Sequence, residues 1–252
     1  MIGFFLYFCG VMMVKTQGIV LRSLNYGDSQ MIIDMFTEQL GRLSFITHIS
    51  NSQKAKVKKM YFQPLHLLDL EFDYRSTKSL QRIKDIRMSC HFTTIPFDSC
   101  KLAITLFLSE FLYHSTRDEQ VNVPLFHYID MSMRWLDESH QAFSNFHLVF
   151  MMRLSRFIGF FPNLDNYEEG DFFDLRNGCF SKTVAPHHDV ISPTEAAKIG
   201  LLMRMNYETM HLFKMSRSER NRCTEIILTY YRLHVPNFPE LKSLGIMQEL
   251  FV

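Results

Sequence analysis

The sequence predicts an α+β fold, in which a five-stranded β-barrel near the amino terminus is followed by a mainly α-helical domain. Between Val14 and Met88, apolar and polar residues alternate with the two-residue period of half-buried strands, with short polar or glycine-containing breaks. After Pro96 the apolar residues recur at helical spacing. We therefore expect a barrel domain at residues 14–90 and a helical domain at residues 91–252.

The first three strands are predicted at residues 18–22, 31–36 and 42–49. The first two are rich in branched residues and are separated by residues 25–28, Asn-Tyr-Gly-Asp, which have the composition of a turn. The third follows Gly41 directly and alternates apolar with polar residues. These three segments form the first half of the predicted barrel.

Two further strands complete the barrel. At residues 68–74 leucine, phenylalanine and tyrosine alternate with aspartate and glutamate, so one face is apolar and the other acidic and solvated. At residues 80–88 the apolar residues recur every three positions instead of every two, and this strand is included because a five-stranded barrel needs it.

Helix starts are predicted from proline and from capping residues. Pro96, Pro124 and Pro193 suit a first helical turn, where the missing N–H costs nothing. Ser192 with Glu195 has the spacing of a capping box.

Three more elements are predicted in the second half of the chain. Ser144 is expected to cap a helix that ends at Gly159, and a last helix should cover residues 217–234. Between them, residues 172–180 have the pattern of a β-hairpin around an Asn-Gly turn.

Charge is unevenly distributed along the chain. The whole sequence has 27 basic and 26 acidic residues, but the part up to Phe92 has 12 basic and 7 acidic ones, and the remainder has 15 and 19. The amino-terminal part is therefore the candidate for binding a polyanion.

The strongest basic cluster joins the third and fourth strands, where four lysines occur within residues 54–59. Contact with phosphates would release counterions, although a solvated connecting segment accounts for the charge alone equally well. Barrels of the OB type commonly bind single strands with a basic groove and aromatic platforms. The predicted DNA-binding residues are Lys15, Arg22, Arg42, Lys54, Lys56, Lys58 and Lys59, with Tyr26 and Tyr61 as predicted base-stacking residues.

The sequence shows no pattern for catalysis, a cofactor or a metal. It has no glycine-rich phosphate loop, and its five cysteines are widely spaced without a Cys-x-x-Cys pair. We interpret His187 and His188 as a surface turn, and Cys179 and Cys223 as packing residues. A reducing cytoplasm fits this cysteine usage best.

The first 13 residues form an apolar extension without charge. They fall short of the ~20 apolar residues that a membrane span needs, and they lack the features of a secretory signal. We interpret them as an artefact of start-codon choice at Met12 or Met13, with a genuine apolar arm as the alternative.

Several segments resemble the RecO family of bacterial recombination mediators. The resemblance spans about Val14 to Phe180, and no single motif carries it alone. Its landmarks are residues 16–22, 26–29, 36–38, 41–43, 54–59, 62–68, 150–154, 157–162 and 173–175. Some members have a four-cysteine zinc site after a Gly-x-x-Pro segment, whereas this chain has only Cys179 shortly beyond it, so no zinc is predicted.

The resemblance implies a cytoplasmic, non-enzymatic protein of DNA repair and homologous recombination, in the RecF pathway. Members bind single- and double-stranded DNA, anneal complementary strands, and work with RecR to load recombinase onto strands coated by single-strand-binding protein. They have an amino-terminal OB fold and a helical carboxy-terminal domain. Arg153 and Arg156 are the candidates for holding the acidic, apolar-ended tail of single-strand-binding protein, although a packed or solvated helix face accounts for both equally well.

Two other classes of function remain open from the sequence. A protein-binding adaptor with an OB-like barrel would show no salt-sensitive affinity for DNA. An enzyme with an unfamiliar site would show turnover that point substitutions abolish.

Overall fold

The computed structural model describes residues 12–49, 57–165 and 167–250, which form eight strands and six α-helices. The strands are β1 Met12–Tyr26, β2 Gln30–Thr37, β3 Gly41–His48, β4 Leu67–Tyr74, β5 Leu80–Met88, β6 Phe172–Asp174, β7 Cys179–Ser181 and β8 Val190–Ile191. The helices are α1 Ser99–Ser115, α2 Val123–Glu138, α3 Phe146–Phe157, α4 Pro193–Arg204, α5 Arg217–His234 and α6 Leu244–Leu250. The predicted α+β class is confirmed.

The chain divides into two compact units. The first contains the chain up to His91 together with residues 117–130, and the second contains residues 92–116 and everything after Asp130. Helix α2 therefore begins in the first unit and ends in the second. The expected division into domains at residues 90 and 91 stays a prediction.

The first unit is a closed five-stranded barrel. Its strand order is β1-β2-β3-β5-β4, with β4 paired back onto β1. All of its strand pairs are antiparallel except β3 and β5, which are parallel. This is the predicted OB-type barrel, and all five predicted strands are present.

Strand β1 is longer than predicted because it pairs with two neighbours in succession. Residues 12–19 pair with β4, and residues 18–26 pair with β2. The register shifts between Val20 and Arg22, which is a β-bulge that increases the local bend of the strand. Beyond the bulge, Arg22, Leu24 and Tyr26 are exposed on the part of β1 that pairs with β2.

Alternate residues of the strands fill the barrel. The rings of Phe45 and Phe72 meet edge to face, with 4.9 Å between their centroids. The other members of this fully buried cluster are Val14, Val20, Met31, Ile33, Met35, Phe62, Leu68, Leu70 and Ile86. Burial of these apolar side chains supplies most of the stabilisation of the barrel.

One of the three helix starts predicted from proline needs correction. Helix α1 begins at Ser99, and its cap is Asp98, whose carboxylate accepts the N–H groups of Cys100 and Lys101. The prediction that Pro96 lies in the first helical turn is therefore wrong. By contrast, Pro124 lies in the first turn of α2 and Pro193 in that of α4.

The predicted caps of α3 and α4 are also wrong in detail. The residue before α3 is Asn145, not Ser144, and the Asn145 amide donates to the carbonyls of Met210 and Phe213 instead of capping the helix. Ser192 precedes α4, but its side chain accepts no N–H of that helix. A complete capping box occurs at α5, between Ser216 and Glu219.

The last predicted elements are confirmed. Helix α5 covers residues 217–234, and β6 and β7 pair as a hairpin whose turn ends at Gly178, which has a φ of 63°. The second unit is packed around aromatic rings, among them Phe111 and Tyr231, whose hydroxyl donates to the Met151 carbonyl at 2.7 Å. Within the described residues, no helix is long and apolar enough to cross a membrane.

Candidate nucleic-acid interface

One outer face of the barrel presents rows of side chains across neighbouring strands, and their composition suits a nucleic acid. Paired residues on neighbouring strands point to the same side of a sheet, so the register defines rows across β1, β2, β3 and β5. The rows are Arg22–Asp34–Ser44, Leu24–Ile32–Ile46–Arg82 and Tyr26–Gln30–His48. We call these residues the β2–β3 face.

The β2–β3 face is apolar in its middle row and basic at its edges. Leu24 is exposed, and Ile32 and Ile46 are half-buried, while Arg22 and Arg82 are exposed at the β1 and β5 sides. Such a surface can receive bases on its apolar part and phosphates at its margins.

The β2–β3 face also contains an aromatic residue, Tyr26, and an acidic one, Asp34. Tyr26 is 56% exposed at the end of β1, so its ring is available for stacking. The Asp34 carboxylate accepts the Ser44 hydroxyl and lies opposite Arg22, which offsets its charge.

A basic groove adjoins the β2–β3 face at the hairpin between β4 and β5. It has a volume of about 430 Å³, and its charged lining residues are Arg75, Lys78, Arg82, Lys84 and Asp73. Lys84 is paired with Asp73 at 2.7 Å. We call this the hairpin groove.

The opposite side of the barrel is acidic. A second groove, of about 310 Å³, is lined by four carboxylates, Glu38, Asp69, Glu71 and Asp85, and by only two basic side chains, Lys15 and Arg87. The barrel therefore has one basic side and one acidic side, which the charge count of the sequence did not separate.

The predicted DNA-binding residues are distributed over both sides. Lys15 lies in the acidic groove and pairs with Glu71 at 3.1 Å, away from the β2–β3 face. Arg22 belongs to that face. Arg42 is half-buried on β3 opposite Phe36, which places it at the margin.

The lysine loop is described only in part. Lys54 and Lys56 lie outside the described residues. Lys58 is half-buried and Lys59 is exposed where a short 3-10 turn begins before β4. The hydroxyl of Ser23 on β1 donates to the carbonyl of Phe62 at the end of that turn, which fixes the turn beside the second half of β1.

The two predicted stacking residues differ in exposure. Tyr61 is half-buried and packs against the barrel core, whereas Tyr26 is open to solvent. Nearby, burial lowers the pKa of His66, so this imidazole adds no positive charge near neutral pH.

The two arginines of α3 are held within the second unit. Arg153 donates from Nε and a terminal nitrogen to the carbonyl of Met205, at 3.3 and 3.1 Å, at the end of α4. Arg156 is exposed, and its guanidinium lies over the Phe161 ring at 4.1 Å from the centroid. Of the two, Arg156 presents its charge to solvent.

Two titratable side chains buried in the second unit, Cys223 and His147, are held in their uncharged forms. Burial raises the pKa of the Cys223 thiol to about 11 and lowers the pKa of His147 to about 3, so the first stays protonated and the second neutral. Among the described residues, no group of three or more His, Cys, Asp or Glu side chains could hold a metal ion.

The hairpin groove is not among the sites predicted from the sequence. Its signal was present, because five of the 12 basic residues up to Phe92 lie between Arg75 and Arg87. These five residues are separated by turn and strand residues, so they form no continuous run of charge like the lysine loop. Only the pairing of β5 with β3 and β4 shows which of them lie on the same side of the barrel.

Comparison with known proteins identifies the family. Residues 12–91 match the family model described as "Recombination protein O N terminal", and residues 96–244 match "Recombination protein O C terminal". Proteins named "DNA repair protein RecO" are 52% identical over 240 residues in Phocaeicola vulgatus, 54% over 242 in Bacteroides fragilis and 31% over 243 in Flavobacterium psychrophilum. Each alignment covers 95% of this chain and 100% of the relative. The chain thus belongs to the RecO family of DNA repair proteins.

Proposed function

We propose that this protein is a DNA repair and recombination mediator that binds single- and double-stranded DNA and anneals complementary strands. The observation that carries the proposal is the β2–β3 face, an open apolar and aromatic surface bordered by arginines on an OB-type barrel. Membership of a family whose relatives are named for DNA repair supports it.

The proposed contacts follow from exposure and position. Arg22 and Arg42, with the lysine loop of residues 54–59, contact phosphates, and Tyr26 stacks on a base. Lys15 contributes least, since Glu71 neutralises it on the acidic side. Tyr61 contributes less stacking surface than Tyr26 because its ring packs on the core.

Annealing on such a surface requires neither bond chemistry nor a cofactor. Cationic side chains reduce the repulsion between two polyanionic strands, and base pairing supplies the driving force. The proposed role is therefore non-enzymatic. The proposal extends to RecR as a partner in loading recombinase, and to the tail of single-strand-binding protein as a ligand of the second unit.

Replacing the four loop lysines, Lys54, Lys56, Lys58 and Lys59, with alanine should weaken binding of a fluorescent single strand. Each lost phosphate contact makes the negative slope of log K against log salt shallower by about 0.7, so we expect the magnitude of the slope to fall by roughly 3. The measurement is fluorescence anisotropy across a salt series. The control is the double variant Lys182→Ala/Lys214→Ala, which removes exposed lysines of the second unit.

Two results would contradict this proposal in different ways. Affinity of the unaltered protein that does not fall as salt rises would favour a protein-binding adaptor. If the loop variant binds the single strand with the same salt-dependent affinity as the unaltered protein, the lysine loop is not part of the interface. The β2–β3 face would then still be the proposed DNA-binding surface.

For the tail of single-strand-binding protein, Arg156→Ala should weaken binding of an acidic, apolar-ended peptide more than Arg153→Lys does. The reason is that Arg156 is exposed over Phe161, whereas Arg153 is occupied by the Met205 carbonyl. Isothermal titration with the peptide gives the comparison. Equal affinity of the Arg156→Ala variant and the unaltered protein would place the peptide elsewhere.

A further inference from the structure

We infer that the hairpin groove between β4 and β5 is a second contact site for the phosphates of a single DNA strand that lies on the β2–β3 face. This inference rests on the proposed function, and it assigns binding to Arg75, Lys78 and Arg82, which lie outside the lysine loop.

The charge of the groove is available to a ligand. The side chains of Arg75, Lys78 and Arg82 are exposed, and within the part of the chain that the structure describes they form no ion pair. Only Lys84 is neutralised, by Asp73. Three uncompensated cations around one concave surface attract a polyanion and release its counterions when it binds.

The shape of the hairpin is fixed before any ligand arrives. Gln81 is 3% exposed, and its amide nitrogen donates to the carbonyls of Arg75 and Lys78, at 3.0 and 2.7 Å. Its amide oxygen accepts the N–H of Arg75 at 3.0 Å. A buried glutamine thus spans the turn with both ends of its amide. Because the backbone of this turn is already ordered, binding of a ligand to its cationic side chains costs less conformational entropy than binding to a free loop would.

The groove continues the β2–β3 face directly. Arg82 pairs with Ile46 on β3, which pairs with Ile32 on β2 and through it with Leu24 on β1. Three strand spacings of about 4.8 Å separate β1 from β5, so the row is roughly 14 Å wide. A strand that stacks a base on Tyr26 needs only a few nucleotides to reach Arg82, within the 4 to 16 that an OB fold commonly covers.

The position of the groove also agrees with OB folds in general. These barrels bind oligonucleotides with the faces of their second and third strands and with the loops that follow the first and fourth strands. In this chain those loops are the turn after Tyr26 and the hairpin after Tyr74. A single strand is therefore favoured over an acidic peptide, because the apolar face and the exposed tyrosine beside the groove suit bases.

The matched pair Arg82→Ala and Arg87→Ala tests the inference on the full chain. Both arginines are exposed on β5, but Arg82 lines the hairpin groove and Arg87 the acidic groove. We expect Arg82→Ala to reduce the magnitude of the negative slope of log K against log salt for a fluorescent oligothymidine by about 0.7, and the triple variant Arg75→Ala/Lys78→Ala/Arg82→Ala to reduce it by about 2. Arg87→Ala should leave the slope unchanged.

The outcomes separate this inference from the proposed function. If the unaltered protein binds oligothymidine with a salt-dependent affinity and the triple variant binds equally well, the hairpin groove is not part of the interface, although the proposed function stands. If the unaltered protein shows no such binding, the proposed function itself fails. If the triple variant keeps oligothymidine affinity but loses affinity for an acidic peptide, the groove is a protein site. Thermal melting of each variant checks that the barrel is folded.

Discussion

Replacing Gly41 with alanine is expected to destabilise the barrel by about 3 kcal/mol or more. Gly41 begins β3 with a φ of 65°, a left-handed conformation that costs other residues roughly 1 to 2 kcal/mol. A Cβ at this position would also lie 2.4 Å from the Gln120 carbonyl oxygen and 2.9 Å from the Val121 nitrogen. Those are backbone atoms that cannot rotate away, and overpacking of this kind typically adds about 1 to 3 kcal/mol. The measurement is the free energy of unfolding from urea denaturation.

Gly27→Ala is the matched control for this variant. Gly27 has nearly the same φ, 63°, but no atom lies within 4 Å of the position that its Cβ would take. Gly27→Ala should therefore lower the free energy of unfolding only by the cost of the left-handed backbone conformation, about 1 to 2 kcal/mol. If the two variants lost equal stability, the close approach of Gln120 to Gly41 would not contribute to the cost.

The strands of the barrel could be predicted because each has one buried and one exposed side. In β4 the aspartates and glutamate alternate with leucine and phenylalanine, and the structure places the first set outside and the second in the core. The β-bulge in β1 could not be predicted, because it depends on pairing with both β2 and β4. Register of this kind is set by long-range neighbours.

A helix start could be predicted where a single residue favours it through its own backbone conformation. Pro193 fixes its own φ and suits the first position of α4. The adjacent Ser192 and Glu195 had the capping spacing, yet Glu195 is instead paired with Arg222 of α5 at 2.6 Å. Glu219 in the capping box of α5 is also ion-paired, with Lys198 at 2.8 Å, so an ion pair with a neighbouring helix does not by itself prevent a glutamate from capping.

In the candidate site, too, a feature formed by residues adjacent in the sequence could be predicted, whereas one formed by strand pairing could not. The lysine loop was visible as a run of charge, whereas the hairpin groove arises from residues that are neighbours only through strand pairing. The surplus of basic residues up to Phe92 also concealed an acidic side, which β4 and the end of β5 form together. Because the acidic side repels a polyanion such as DNA, a polyanion is expected to approach the barrel from the opposite side, where the β2–β3 face lies.

The segment after the barrel is anchored by one buried carboxylate. Asp137 near the end of α2 is 7% exposed and accepts the N–H groups of Thr93, Thr94 and Ile95 at 2.8 to 2.9 Å. The ammonium of Lys101, itself 2% exposed, donates to the Asp137 carbonyl at 2.9 Å. A single side chain thus satisfies three backbone donors and lies beside a buried cation.

Asp137→Ala should therefore destabilise the protein by about 3 to 5 kcal/mol, the usual cost of removing one partner from a buried charged network. The change leaves three N–H groups without their acceptor and removes one of the two carboxylates, those of Asp137 and Asp98, that stabilise the charge of the Lys101 ammonium. Urea denaturation at pH 7 measures the loss. Glu138→Ala is the control, because it removes an exposed carboxylate one residue further along the helix and should cost less than about 0.5 kcal/mol.

The same variant has a pH dependence of definite sign. Burial opposes ionisation of Asp137, but hydrogen bonds from Thr93, Ile95 and Thr94 outweigh it and hold the pKa of the carboxyl below its ordinary value. A lowered folded-state pKa contributes stability above the unfolded value, about 3.9 for aspartate, and that contribution is lost as the pH falls through the folded value. The gap in unfolding free energy between the unaltered protein and Asp137→Ala should thus be full at pH 7 and narrow below about pH 4. A gap that stayed constant from pH 7 to pH 2.5 would mean that packing, and not the ionised carboxylate, stabilises this segment.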